Sequence, residues 1–314
     1  MNHPPLVIYH KQLGDVLMME PALAKLAAAT GGPVRLSTRP SFAPMVSLMA
    51  NVEFANYDFF RRASAVYSFS ERFRAGFKTA LSISPRKILI ATSKARIKPW
   101  HQIIYRAGCI PAERAARYEA EYFFQSLPCP TTISFRPPQL LPPPVDWLPE
   151  GLPASYILLH ASAAWRRKAW APERWAEVLN QLHDIGGGPF VLTGGSAEWE
   201  RSLAAAITST TRAPVVDLSG KTSLKGYLAT VAKARMVLCI DGSATHLASA
   251  FKRPNVTLFG PTDPSQWHFP TARSILIDAR TFSPQSEPAV AEIPAAAVCR
   301  TAVDLWTKAS AASE

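Results

Sequence analysis

The sequence predicts an α/β protein with two domains, each built on a parallel β-sheet. Short buried apolar runs alternate with helical patterns along most of the 314 residues, which is typical of βαβ units. A proline-dense stretch at 127–153 interrupts this alternation, and the same order of elements begins again after it. In the second half, polar turns directly follow two apolar runs, Met236–Ile240 and Asn255–Phe259. Such turns gather at the carboxyl edge of a parallel sheet, where open α/β sheets bind ligands.

The first half follows the alternation from its first residues. The run LVIYH opens it as a buried strand, and the run KILIAT is a further strand followed by the basic segment 94–106. The predicted elements are strands at 6–10, 34–37 and 87–92 and helices at 15–29 and 42–49.

The second half begins after the proline-dense stretch, which excludes both a helix and a central strand. Its predicted elements are strands at 156–160, 190–193, 215–218, 236–240 and 255–259 and helices at 172–183, 197–207 and 223–234. We therefore expect domains at 1–145 and 154–293. A helix at about 294–310 is expected to pack back on the first domain.

Composition and charge narrow the class of protein. Apolar residues make up 48% and charged residues 18%, as in globular proteins, and no apolar run reaches the length of a membrane span. The start of the chain lacks the form of a signal peptide, and four cysteines lie scattered without a C-x-x-C pair, which favours the cytoplasm. Of the net charge of +11, a surplus of +8 lies in residues 1–150. That surplus suits nucleic acid, an anionic membrane, a phosphorylated substrate or simply a soluble surface.

Five segments carry a resemblance to a known family. They are Gly14-Asp15, LLHASAAWRRKAWAPERWAEV at 158–178, VLTGGSAEWE at 191–200, DLSGKTSL at 217–224 and the stretch at 236–264. In this order they resemble glycosyltransferase family nine, the heptosyltransferases that build the inner core of bacterial lipopolysaccharide from ADP-heptose. The resemblance implies two Rossmann-like domains facing across a cleft, the GT-B architecture. The donor would bind the second domain and the acceptor the first.

Two residues are candidates for the catalytic step. Asp15 follows the first strand, where a carboxylate can simply cap the next helix; the resemblance implies instead a general base that deprotonates the acceptor hydroxyl. Lys168 is by itself typical of a solvated surface charge. The resemblance makes it the group that neutralises the diphosphate, with Ser162 contributing a hydroxyl or N–H to the same phosphates.

Three further residues are candidates for binding the nucleoside. Gly195 lets the backbone approach a ligand closely. Glu198 suits the first turn of a helix, and by resemblance it would bind the ribose hydroxyls. Thr222 would either lie against the adenine or cap the helix that follows.

The sequence Asp241-Gly242-Ser243-Ala244-Thr245-His246 resembles the family motif Asp-(Ser/Thr)-Gly-x-x-His, with Gly and Ser transposed. Backbone N–H groups of Gly242 and Ser243 at a helix start would hold the diphosphate. Asp241 would accept hydrogen bonds from the sugar, and His246 is either a phosphate contact or a packing histidine.

The acceptor and metal predictions rest on fewer signals. Arg61, Arg62, Lys94, Arg96 and Lys98 fall on predicted loops facing the cleft and, with the basic surplus, suit an anionic lipid-linked acceptor such as Kdo-bearing lipid A at the inner membrane. No Asp-x-Asp pair follows a strand in the second half, and no His/Cys cluster has ligand spacing, which favours transfer without a metal or other cofactor. Direct displacement by a single base implies inversion at the anomeric carbon.

Two alternatives remain open from the sequence. The same fold can use another nucleotide sugar or a protein acceptor. A non-catalytic binder of nucleic acid or anionic lipid could use the basic first half, although nucleic-acid readers usually interleave aromatic and basic residues on one surface.

Overall fold

The computed structural model describes residues 3–56, 61–111, 118–130, 132–163 and 165–311. The chain divides into two compact units, Met1–Leu141 and Pro142–Glu314. The division falls inside the proline-dense stretch at which the sequence predicts a domain boundary.

The first unit is a parallel sheet covered by helices, with strand order β3-β2-β1-β4-β5-β6. Its strands are β1 (Leu6–Ile8), β2 (Val34–Ser37), β3 (Val52–Phe54), β4 (Val66–Ser68), β5 (Lys87–Ala91) and β6 (Gly108–Pro111). Its helices are α1 (Leu13–Leu17), α2 (Glu20–Thr30), α3 (Ala43–Val46), α4 (Phe73–Leu81), α5 (Pro99–Ile104) and α6 (Glu119–Ser126).

The second unit repeats this design, with strand order β12-β11-β10-β7-β8-β9. Its strands are β7 (Ile157–His160), β8 (Phe190–Thr193), β9 (Val215–Asp217), β10 (Met236–Ile240), β11 (Asn255–Phe259) and β12 (Ser274–Asp278). Its helices are α7 (Pro172–Asp184), α8 (Glu198–Thr210), α9 (Leu224–Lys233), α10 (Ser243–Ala250), α11 (Pro264–Trp267) and α12 (Ala295–Ala311). All described strand pairs are parallel, and each sheet has the order of a Rossmann fold.

The N-terminal helical region differs from its prediction. The sequence predicts one helix at 15–29, whereas the structure divides it into α1 and α2. Pro21 lies in the first turn of α2 and has no N–H to continue the hydrogen bonds of α1, so the first helix ends before it.

The C-terminal helix corrects the expectation that it packs back on the first domain. α12 packs against α7, β11 and β12, all in the second unit. Its apolar residues Val298, Ala302 and Leu305 are buried in the core of that unit, together with the perpendicular rings of Trp170 and Trp175. The apolar face of α12 is therefore buried in the core of the second unit. No helix in the described part of the chain is long and apolar enough to cross a bilayer.

The proline-dense stretch is extended, as predicted, but its first part is fixed to the first unit. The Arg136 guanidinium donates to both carboxylate oxygens of Glu20 at 2.7 and 2.8 Å, and the Gln139 N–H donates to the same carboxylate at 3.0 Å. Glu20 is only 1% exposed. A bidentate pair at a buried carboxylate stabilises this path of the chain.

Candidate functional site

In the second unit, β7 and β10 are neighbours at the point where the strand order reverses. The connections that leave such a pair diverge to opposite faces of the sheet and leave a crevice at its carboxyl edge. We call the residues that follow β7, β8, β9, β10 and β11 the second-unit edge. They hold most of the residues that the sequence predicts to bind the donor.

A buried ion pair joins the two strands at this edge. The Lys168 Nζ lies 2.5 Å from Asp241 Oδ2, and Thr262 Oγ1 donates to the same oxygen at 2.5 Å. Lys168 is 8% and Asp241 4% exposed. Each charge is therefore desolvated and needs the other, so the ammonium is held in one position beside the sheet.

The sequence predicts that the turn after β11 lies at the ligand-binding edge, but it assigns no role to Thr262 on that turn. The guanidinium of Arg280 fixes this turn, because its Nη1 donates to the carbonyls of Gly260 at 3.2 Å and Thr262 at 3.1 Å. Asp278 holds Arg280 in turn, with an Nη1–Oδ1 distance of 3.1 Å. Arg280 therefore positions Thr262, which donates a hydrogen bond to the Asp241 carboxylate of the ion pair.

The N-terminus of α10 opens beside the ion pair. Gly242 is its N-cap and Ser243 its first residue, so unpaired N–H groups of the first turn point out at the edge. The φ of Gly242 is 176°, an extended conformation that any residue adopts. The backbone at position 242 therefore does not require glycine, so backbone conformation does not explain why Gly and Ser are transposed relative to the family motif. The Ser243 hydroxyl lies 3.4 Å from the Tyr227 hydroxyl.

At the start of α8, the carboxylate that hydrogen-bonds the second-unit edge is that of Glu200, two residues after the predicted Glu198. The Glu200 Oε1 accepts from Ser162 Oγ at 2.7 Å and from the Gly195 N–H at 3.0 Å, which joins the ends of β7 and β8. Glu198 is exposed. Two residues of α-helix rotate a side chain by about 200°, so the two carboxylates face opposite directions. A side chain at Gly195 would collide with Glu200, since its Cβ would lie 2.2 Å from Oε2.

The turn after β9 supplies a further polar group. Ser223 caps α9 by accepting from the Gly226 N–H at 3.2 Å, so the predicted alternative role of Thr222 as the cap is wrong. Ser219 is 3% exposed, and its hydroxyl has no hydrogen-bond partner among the described residues. It faces Gly194, where a Cβ would lie 3.3 Å from both Ser219 Oγ and Ser162 Oγ. A buried unpaired hydroxyl at a ligand-binding edge is a group to which a ligand can bond.

Two histidines at this edge are neutral at pH 7. Burial lowers the pKa of His246 to about 4; the Asp241 carboxylate opposes that shift, and His268 and Lys168 add to it. Burial likewise lowers the pKa of His160 to about 4, and its Nδ1 lies 2.9 Å from Thr193 Oγ1. His246 packs near Trp267, with ring centroids 6.2 Å apart. In the described ranges, no three His, Cys, Asp or Glu side chains gather in a way that would hold a metal.

In the first unit, Asp15 lies in a capping box at the start of α1, after β1. Its Oδ2 accepts from the Gln12 N–H at 3.0 Å, so Asp15 is the third residue of the helix and not the N-cap itself. Burial raises the pKa of Asp15, although the Gln12 N–H and the charges of Lys11 and Arg39 oppose the shift. A half-buried carboxylate with a raised pKa is a stronger base than an exposed one.

A cavity of about 390 Å³ opens at the carboxyl edge of the first sheet. Arg96 and Lys98, both predicted acceptor residues, line it together with Lys11, Arg72 and Glu71. Its floor includes the mutually perpendicular rings of Tyr9, Phe69 and Phe123. Lys94 lies on the same exposed connection after β5. The sequence did not indicate Lys11 and Arg72, which the topology brings to the same edge.

Arg61 and Arg62 correct the prediction that they lie on loops at the ligand-binding edge. They precede β4, and the neighbouring Ala65 carbonyl accepts from Leu6 N–H at the start of β1 at 2.9 Å. The main-chain carbonyls of Arg61 and Arg62 accept from Arg35 at 3.2 and 2.9 Å. In a parallel sheet a connection enters the next strand at its amino end, so these residues lie at the edge opposite to Asp15.

Comparisons with known proteins agree with this architecture. Lipopolysaccharide heptosyltransferase 1 of Escherichia coli (strain K12) is 34% identical over 108 residues, which are 34% of this chain and 32% of the relative. Lipopolysaccharide heptosyltransferase 1 of Pseudomonas aeruginosa is 31% identical over 113 residues, 35% of this chain and 30% of the relative. The chain thus matches about a third of the length of these curated relatives.

Solved structures resemble the whole chain. The glycosyl transferase family 9 protein of Veillonella parvula has a TM-score of 0.81 at 14% identity, covering 98% of this chain and 97% of that one. E. coli ADP-heptose lps heptosyltransferase II has a TM-score of 0.77 at 19% identity, covering 97% and 99%. The predicted fold class, two Rossmann-like domains, is confirmed. Since residues 58–288 match the family described as Glycosyltransferase family 9 (heptosyltransferase), the chain belongs to that family.

Proposed function

We propose that this protein is an inverting, metal-independent glycosyltransferase that moves heptose from ADP-heptose to the Kdo/heptose inner core of lipopolysaccharide. Family membership and the relatives' names support the reaction class. A solved structure of E. coli heptosyltransferase WaaC contains ADP, and another contains ADP-2-deoxy-2-fluoro heptose. Both resemble the present chain over 96% of its length.

The Lys168–Asp241 pair beside the α10 N-terminus carries the proposal. A diphosphate needs a fixed cation and N–H donors, and both are present at one crevice. When the glycosidic bond breaks, negative charge develops on the leaving ADP. Lys168 and the first turn of α10 would stabilise it without a metal ion. Asp241, held by Thr262, would accept hydrogen bonds from the sugar hydroxyls.

The nucleoside would bind along the ends of β8 and β9. Glu200 is the carboxylate that the geometry favours for the ribose hydroxyls, since it already bonds Ser162 and Gly195 at the edge. Thr222 and the unpaired Ser219 hydroxyl are the candidates for contacts with the adenine side. His246, neutral and buried, would support the motif by packing or accept one phosphate contact.

The first unit would supply the base. Asp15 would take the proton from the acceptor hydroxyl, whose oxygen then bonds to the anomeric carbon as the bond to ADP breaks. One displacement by one base inverts the anomeric configuration. The cavity with Arg96 and Lys98 is the proposed site for the anionic part of a Kdo-bearing lipid acceptor, with Lys94 nearby. Such an acceptor would bring the protein to the cytoplasmic surface of the inner membrane.

A mass-spectrometric transfer assay tests the proposal. Purified protein is given ADP-heptose and truncated core acceptors, with GDP- and UDP-sugars as donor controls. We expect a mass gain of one heptose that depends on ADP-heptose and persists in a chelator. Transfer from another nucleotide sugar alone would contradict the proposed donor. Thermal stabilisation by an oligonucleotide but not by ADP would favour a nucleic-acid binder instead.

A further inference from the structure

Helix α4 exposes its largest apolar side chains. Phe73, Phe77 and Leu81 are 74%, 55% and 38% exposed, and they follow one another at intervals of one helical turn. The buried face of the helix carries the small residues Ala75 and Gly76. A helix that only covers a core has the opposite arrangement, with its large apolar residues inward.

Helix α5 extends this apolar surface. Trp100 packs over Gly76, where a Cβ would lie 2.4 Å from its ring, and it meets the edge of Phe73 with centroids 5.8 Å apart. Ile103, one turn beyond Trp100, is 70% exposed. We call Phe73, Phe77, Leu81 and Ile103 the α4–α5 patch. Several large apolar side chains exposed on one helix pair mark an interaction surface.

The segment that contains the patch is strongly basic. Residues 72–111 include nine Lys or Arg residues and no Asp or Glu. This segment therefore contains the whole +8 surplus of residues 1–150. Arg72 and Arg74 flank Phe73, Lys98 precedes α5 and Arg106 follows it, and all four are exposed.

We propose that the α4–α5 patch docks this protein on an anionic lipid bilayer. The phenyl and aliphatic groups enter the headgroup boundary, and the surrounding Lys and Arg side chains contact lipid phosphates. This proposal rests on the proposed function, because a lipid-linked acceptor is embedded in a bilayer. It adds the surface by which the protein would bind that bilayer. Arg72 and Lys98 also line the first-unit cavity, so the docking surface adjoins the proposed acceptor site.

Charge and shape favour a bilayer over two other partners. Single-stranded nucleic acid stacks its bases on aromatic faces. Phe73 and Phe77 offer such faces, but Leu81 and Ile103, the other half of the patch, do not. A second copy of this chain would bring one basic segment against another, which like-charge repulsion disfavours.

Vesicle flotation tests the proposal with the full chain and no substrate. Vesicles of phosphatidylglycerol and phosphatidylcholine are compared with phosphatidylcholine alone. We expect binding only to the anionic vesicles, and a loss of about tenfold or more in the partition coefficient for Phe73→Ser/Phe77→Ser. The control Ile185→Ser/Phe282→Ser removes apolar side chains that are 47% and 38% exposed in the second unit, and should bind as wild type does.

A second variant keeps the aromatic groups and removes charge. Arg74→Gln/Arg106→Gln should weaken binding and flatten its salt dependence, whereas Lys233→Gln/Arg300→Gln in the second unit should not. Failure of wild type to bind anionic vesicles, or equal binding by the patch variants, would overturn the proposal. Patch-dependent binding of an oligonucleotide, or patch-dependent self-association in sedimentation without vesicle binding, would overturn it too. Transfer to a water-soluble acceptor, measured on the same variants, reports the proposed function separately and should stay unchanged.

Discussion

The carboxyl edges of the two sheets differ sharply although their strand orders are the same. In the second unit Lys168 and Asp241 form a buried ion pair, and the half-buried Glu200 carboxylate accepts hydrogen bonds from Ser162 and Gly195. In the first unit Asp15 is half-buried, and Lys11 and Arg39, the basic residues whose charges act on it, are exposed.

This difference indicates two ways to bind an anion. The second-unit edge is organised before a ligand arrives, as suits a small diphosphate whose charge changes during reaction. The first-unit edge offers exposed cations such as Lys11, Arg72 and Arg96, as suits a large acceptor recognised by its total charge. A substitution at the first edge should therefore change either the rate of transfer or the attraction of the acceptor, but not both. A substitution at the second edge should change the affinity for ADP and the rate of transfer together.

The largest expected effect separates the two edges by function. Asp15→Asn keeps an oxygen that can accept from the Gln12 N–H, so α1 retains its cap. It removes the base, and we expect the turnover rate to fall about 10²–10⁴-fold. The affinity for ADP, measured by calorimetry, should not change because the second unit binds it. The exposed carboxylate of Asp146 provides a control, since Asp146→Asn should transfer normally. A near-normal rate for Asp15→Asn would remove it as the base.

The next effect tests whether the buried cation acts on phosphate. Lys168→Ala should weaken ADP binding and raise the barrier to transfer by about 2–4 kcal/mol. It also leaves the Asp241 carboxylate buried without a compensating positive charge, which destabilises the fold. The double variant Lys168→Ala/Asp241→Asn removes both charges and should recover thermal stability without recovering ADP affinity. Recovery of ADP affinity in the double variant would mean that Lys168 serves the fold alone.

The sequence indicates individual residues at this site better than their pairing. It picks out Lys168 and Asp241 as separate ligand contacts, but their ion pair depends on the adjacency of β7 and β10 and has no local sequence signal. Similarly, Glu198 and Glu200 both fit the first turn of α8. Only the rotation of the helix determines which one meets Ser162.

The fold shows the same limit. Long apolar runs such as β5, β10 and β11 are predicted from sequence within a residue of their ends. The strands β3 and β4 are not predicted, because each contains only two apolar residues, whereas β1, also three residues long, is apolar throughout. Helix α4 carries its large apolar residues on its exposed face, so its sequence does not show the pattern of a helix that covers a core. Arg61 and Arg62 were misplaced because a basic loop looks alike at either end of a sheet.

A smaller effect distinguishes the two glutamates. Glu200→Gln removes the negative charge that accepts two hydrogen bonds. A hydrogen bond to a charged group stabilises by about 1.5–3 kcal/mol, and the amide oxygen of Gln retains part of this energy. We expect the ADP dissociation constant to rise about tenfold. Glu198→Gln, two residues away and exposed, is the matched control and should bind ADP normally. The reverse pattern would return the ribose contact to Glu198.

The smallest effect is a displacement along the pH axis. Because burial raises the pKa of Asp15, transfer should be lost as pH falls through a pKa above the ordinary value for aspartate. The Arg39 charge opposes that rise, and its Nη1 donates to Gln12 Oε1 at 3.3 Å beside the carboxylate. Arg39→Gln should therefore move the acid limb of kcat/KM to higher pH and leave the plateau rate intact. Arg300→Gln, an exposed change in the second unit, should leave the limb in place. If the acid limb of kcat/KM stayed in place in Arg39→Gln but shifted in the Lys168 variants, the titrating group would lie at the second edge. The proposed division of roles between the two edges would then be wrong.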